Sequence, residues 1–141
     1  MKIKISILAL WLFFLFISCE TNTDSLMEAP SGTYSYQGWD STGVLIVTGS
    51  LSFTSLDSGS VSGTWELTNL HQREDIGIQN GTGQFEGFIT NNTIDINLQP
   101  NNADHNVILT GSISKNKIEG FWKWVTFTGI TNKGPFLAKR H

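Results

Sequence analysis

The chain has 141 residues, a formal net charge of −3 and a single cysteine. That length holds one ordinary domain once a targeting segment is set aside, and excludes two. A lone cysteine excludes an intrachain disulfide framework, so the fold must rest on its core. Seven basic residues stand against twelve acidic ones after Ser18, which excludes the basic patch that nucleic acid requires.

The first eighteen residues differ from the rest. Lys2 and Lys4 give a short positive start, and Ile5 to Ile17 form an apolar run broken only by Ser6. This is the layout of a secretory signal. A spanning helix needs roughly 20 apolar residues to cross about 30 Å of hydrocarbon, and this run is shorter. Ser18 and Cys19 follow, and the chain at once turns polar in "ETNTDS".

The pattern resembles a bacterial lipoprotein signal. The resemblance implies cleavage before Cys19, a diacylglycerol on its sulfur, and residence in the cell envelope on the outer membrane of a Gram-negative bacterium. Phe16 and Ile17 are bulkier than the usual lipobox residues, and the alternative is an ordinary signal peptide with Cys19 at its end. The expected organisation is a signal peptide over 1–18, a lipidated cysteine and flexible tether over 19–31, and a β-barrel domain over 32–141. Residues 20 to 31 mix polar residues with one apolar pair and end near Pro30, as a tether does.

From Gly32 onward, apolar residues alternate with polar ones between clusters of Gly, Asn, Asp and Ser, the period of strands. The first runs from Thr33 to Trp39 through Tyr34 and Tyr36, and "DSTG" turns the chain. Val44 to Phe53 follows, with Leu45, Val47, Gly49, Leu51 and Phe53 on one face and Ile46 on the other. Val61, Gly63, Trp65 and Leu67 mark the third inward face. After a long connection from Asn69 to Gly81, Gly83, Phe85, Gly87 and Ile89 share a face.

Asn91-Asn92 is a two-residue hairpin candidate, and Ile94, Ile96 and Leu98 alternate until Pro100 stops the strand. Val107, Leu109, Gly111 and Ile113 come next, then Ile118, Gly120, Trp122 and Trp124. A final strand is expected over 135–140 after the loop "TGITNKG". The segments "GQFEGFITNNTIDINL", "GSISKNKIEGFWKW" and "GSLSFTSLDSGSVSGTWEL" share one hairpin outline. Eight consecutive antiparallel strands close most simply as an up-and-down barrel, which removes the exposed edges. The alternative is a two-sheet sandwich.

The stretch "SGTYSYQGWDSTGVLIVTGSLSF" followed by "SVSGTWEL" resembles the opening hairpins of avidin-type and lipocalin-like barrels. The later strands lack the tryptophan motifs that wall the avidin biotin site, and no N-terminal helix or disulfide supports the lipocalin signature. The resemblance therefore implies an architecture and assigns no ligand-binding residue.

The inward faces combine large aromatics with glycines. Two readings follow: the aromatics lie over the glycines and fill the barrel, or the glycines open a pocket walled by aromatics. On the second, Tyr34, Tyr36, Trp65, Phe85, Trp122 and Trp124 are the candidate ligand-binding residues, for a small apolar or aromatic ligand. Ile46, Phe88, Ile108, Phe121 and Val125 are apolar residues on the otherwise polar face, and together would make a contact for an envelope protein.

Catalytic chemistry has no assembled constellation. His71, His105 and His141 stand in no metal or triad spacing, and no serine occupies a nucleophile elbow. Glu66, Glu86, Asp95 and Glu119 point outward by strand parity, and calcium-binding or phosphate-cradling loops are absent from the sequence. The expectation is a non-enzymatic binding or accessory lipoprotein, with no metal and no cofactor.

Overall fold

The computed structural model describes residues 29–57 and 59–141. Cys19 and the expected signal segment lie outside the described residues. The strands are β1 (Gly32–Trp39), β2 (Leu45–Asp57), β3 (Ser60–Asn69), β4 (Gly81–Thr90), β5 (Thr93–Asn97), β6 (Asn106–Ser114), β7 (Lys117–Thr126) and β8 (Gly129–Arg140). Each pairs antiparallel with its neighbour in sequence, and β1 also pairs with β8, so the sheet is a closed barrel. That closure, from Tyr34 opposite Arg140 to Gly38 opposite Phe136, removes the sandwich alternative.

The pleat sends successive side chains to opposite faces, and the expected inward sets are the observed ones except at the start of β2, where Leu45, expected inward, pairs with Trp39 and is only half-buried. Leu51, Trp65, Leu67, Phe85, Ile94, Ile96, Leu98, Val107, Leu109, Ile118, Trp122, Phe136 and Ala138 are buried in one cluster. Fully burying a large apolar side chain contributes roughly 1.5–3 kcal/mol. No disulfide is needed at this size.

Three local expectations are corrected. Ile46 is fully buried instead of facing out, because the β1–β2 register shifts there: Gly38 opposes Val47 and Trp39 opposes Leu45. The skipped residue turns inward beside Val47, as a bulge allows. Strand β2 runs on to Asp57, past Phe53, through a second register shift between Phe53 and Ser55.

Strand β8 begins at Gly129, so most of "TGITNKG" is strand and the hairpin tip is Phe127-Thr128. Gly134 is not a turn residue. A Cβ there would stand 2.0 Å from the Trp39 carbonyl oxygen and 2.9 Å from Trp122 Nε1. Only glycine lets these two groups pass over the strand.

In this meander the β1–β2, β3–β4, β5–β6 and β7–β8 connections gather at one end of the barrel. Chain entry at Ala29, the other three connections and the C-terminus share the opposite end.

Candidate functional site

The six candidate residues converge on the interior. Tyr34, Tyr36, Trp65, Phe85 and Trp122 are buried, and Trp124 is half-buried. What surrounds them is the protein itself. Tyr34 meets Phe53 edge-on at 5.3 Å, and Phe53 meets Phe85 edge-on at 5.0 Å, the favoured geometry of aromatic pairs. Tyr36 stacks on Phe136 at 5.8 Å.

Of the inward glycines, Gly63, Gly83 and Gly111 are covered by these rings, while Gly49, Gly87 and Gly120 abut the backbone of the neighbouring strand. A Cβ on Gly63 would lie 2.5 Å from Phe85 Cζ, one on Gly83 would lie 2.5 Å from Trp65 Cζ2, and one on Gly111 would lie 3.0 Å from Phe136 Cζ. Each of these three is thus the space into which an aromatic ring leans. The sequence pattern of large and small residues on one face is a packing device, and the filled reading of the interior accounts for it.

The polar handles of the rings are also engaged. Trp65 Nε1 donates to the carbonyl of Leu98 at 2.8 Å and more weakly to that of Gln84 at 3.2 Å. Trp122 Nε1 donates to the Trp39 carbonyl at 2.8 Å. The Tyr36 hydroxyl donates to Gln79 Oε1 at 2.9 Å, and Gln79 Nε2 donates to the Ile76 carbonyl at 2.9 Å. Burial pushes the Tyr36 hydroxyl pKa far above its ordinary value.

Ile76 and Gln79 belong to the β3–β4 connection, which folds over one mouth of the barrel; both are buried. Gly77 lies beside Val107 and Trp124, where a Cβ would come within 2.8 Å of Trp124 Cδ1. Sequence reading missed this cover, since neither a buried glutamine nor its tyrosine partner has a local signature.

An ion-pair network staples the cover in place. Arg73 forks onto Asp75 through Nε at 2.8 Å and Nη2 at 2.7 Å, and reaches Asp40 with Nη1 at 3.0 Å. Planar two-point pairing of this kind is the strong form of a charge-assisted bond. Asp40 also accepts from the Thr42 hydroxyl at 2.7 Å and from the Val44 and Thr42 amides at 3.0 and 2.9 Å. Asn132 on β8 donates to the Asp75 carboxylate and carbonyl.

These contacts hold both carboxyls below their ordinary pKa: for Asp40 chiefly the Thr42 hydroxyl, then the Val44 amide, and for Asp75 chiefly the Arg73 guanidinium.

Two buried polar atoms near this mouth, Trp124 Nε1 and Asn106 Oδ1, make no hydrogen bond among the described residues. They belong to adjacent strands, where Asn106 opposes Val125 and Val107 opposes Trp124. His105 lies 5.9 Å from the Trp124 ring.

Glu66, Glu86, Asp95 and Glu119 are exposed, as strand parity requires. His71 bonds the Leu45 carbonyl, and His105 lies 3.3 Å from the adjacent Asp104. Among the described residues, no group of three or more His, Cys, Asp or Glu side chains is placed to hold a metal ion.

Of the expected outer apolar set, Phe88 and Phe121 are 66% and 57% exposed. They stand on one cross-strand row, Phe88–Asp95–Thr110–Phe121–Pro135, separated by a hydrogen-bonded Thr110–Asp95 pair at 2.6 Å. Ile108 and Val125 are half-buried. The hairpin tip adds Phe127 at 82% exposure.

Solved structures share this architecture. The chain is similar to the bradavidin2–biotin complex, with a TM-score of 0.56 and 15% identity over 80% of this chain and 99% of that one. A shwanavidin variant in complex with biotin matches with a TM-score of 0.56 and 15% identity over 81% and 99%. The redesigned β-barrel mFAP1 bound to DFHBI matches with a TM-score of 0.50 and 16% identity over 78% and 94%. No protein-family model matches the chain, and no curated protein matches it by sequence. The fold is therefore the avidin-like eight-strand barrel, at identities that establish the architecture alone.

Proposed function

We propose that this chain is a non-catalytic, membrane-tethered accessory barrel that works through protein contacts on its outer face. One contrast carries the reading: the interior aromatics are covered by one another and by the glycines they lean over, whereas Phe88 and Phe121 stand open. Exposed aromatics are the residues that interfaces use as anchors. Lipidation at Cys19 would hold the barrel at the envelope, with residues 20 to 31 as the spacer.

Crosslinking in cells tests the reading. Replacing Phe121 or Phe88 by Ser leaves folding intact and weakens a recovered complex; complexes unchanged by both replacements would sink it.

A second reading is supported by a specific observation. Trp124 Nε1 and Asn106 Oδ1 are a buried donor and acceptor without hydrogen-bond partners among the described residues, beside the mouth that the β3–β4 connection covers. The similar barrels named above hold biotin or DFHBI. On this reading a small aromatic or apolar ligand enters when that connection lifts. Native mass spectrometry of the purified chain then finds a bound small molecule, and aromatic probes change the tryptophan fluorescence. Bare protein with an unresponsive spectrum rules this reading out.

A further inference from the structure

The outer face of β7 carries Glu119, Phe121 and Lys123 in succession, between the inward-facing Gly120 and Trp122. Phe121 opposes Thr110 on one side and Pro135 on the other. Beside it, Gly111 and Gly120 pair in register and floor an open groove of about 500 Å³, lined also by Ser112 and Pro135. Large aromatic knob and shallow groove are thus neighbours on one surface.

The charges around Phe121 are unbalanced within the chain. Lys123 lies directly opposite Lys133 of β8, and neither ammonium has an ion pair among the described residues. Like charges directly opposite on a sheet repel. Glu119 pairs with Lys117 at 2.8 Å, yet its side chain is 55% exposed and open to a further cation.

Glu119 and Lys123 flank Phe121 at two residues on either side, about 6–7 Å each way along a strand. Consider a twofold axis parallel to the sheet plane and perpendicular to β7, passing outside the barrel at the level of the Phe121 ring. It brings two Phe121 rings together and sets each Glu119 against the Lys123–Lys133 pair of the other copy. Both charge contacts form at once, the self-complementarity that an isologous interface demands. A single chain supplies the anchor, the acid and the base.

We infer that a second copy of this chain docks on this face, in a homodimer centred on Phe121. The inference rests on the outer-face reading and names its partner.

Sedimentation velocity of the full-length chain in mild detergent tests it. The wild type associates reversibly, and Phe121→Asp is monomeric. Lys123→Glu sets two carboxylates against each other across the interface and weakens association about tenfold or more. In the monomer the same change relieves the repulsion from Lys133, so the fold is kept, as circular dichroism will show. The double variant Glu119→Lys/Lys123→Glu reverses both charges and restores association to within about threefold of wild type.

A wild type that stays monomeric at every concentration overturns the homodimer, as does a double variant no better than Lys123→Glu alone. A monomer that still crosslinks to an envelope protein through Phe121 overturns the homodimer and leaves the outer-face reading standing. If replacing Phe121 alters neither self-association nor any crosslinked complex, both fall.

Discussion

The Tyr36 hydroxyl and the Gln79 side chain meet at 2.9 Å with both residues buried, which joins the wall of the barrel to the connection that covers its mouth. Removing one member of such a pair leaves the other desolvated without a partner, at a cost of about 1–3 kcal/mol. Gln79→Ala is therefore expected to lower stability by about that amount in a urea melt. Tyr36→Phe is expected to cost the same order, and the double variant to cost less than the sum. Additive losses would show that the two groups are not coupled.

Gly83 faces the Trp65 ring at a distance no Cβ tolerates. Gly83→Ala should destabilise by about 1–3 kcal/mol through overpacking. Adding Trp65→Phe, which shortens the ring at the point of contact, should shrink that increment. If Gly83→Ala is as costly in the Trp65→Phe background as in wild type, the ring does not occupy the space over the glycine.

Asp40 and Asp75 have folded-state pKa values below their ordinary 3.8. Carboxyls lowered on folding lend stability that is complete above that ordinary value and is lost as pH falls through the lower, folded one. Asp40→Asn removes the titrating charge, so its deficit in melting temperature should be full at pH 7 and shrink in acid, below about pH 4. A deficit that is the same at pH 7 and pH 2.5 would assign Asp40 a role without charge.

Cys19→Ser should abolish acyl labelling and release the protein from membranes. Retention unchanged by this substitution would discard the lipoprotein reading, whatever the barrel binds.

Most strands were legible because a buried sheet face enforces a period of two, and Gly63–Trp65–Leu67 or Ile94–Ile96–Leu98 cannot satisfy any other. Ile46 was not, because its direction depends on a register shift between β1 and β2, a property of the pair and of neither strand alone. The first half of β8 reads as a loop in the sequence because Thr131, Asn132, Lys133 and Gly134 are polar or small. Their roles, such as the Asn132 bond to Asp75 and the clearance at Gly134, come from neighbours distant in sequence.

The candidate site was legible in one respect only. Parity placed all six aromatics toward the interior, but whether they wall a pocket or fill it depends on which ring leans over which glycine. Asp40 and Arg73 are 33 residues apart, so their ion pair over the mouth had no pattern to announce it.

The β1–β8 closure joins Ser35 to Lys139, 104 positions away in sequence, and brings Gly32 beside the Arg140 guanidinium at the end where the chain enters. Once its ends touch, a ring of eight strands has no privileged starting point. A circular permutant that links Arg140 to Gly32 through a few residues and opens at Asn91-Asn92, a turn at that same end, would keep every strand pairing.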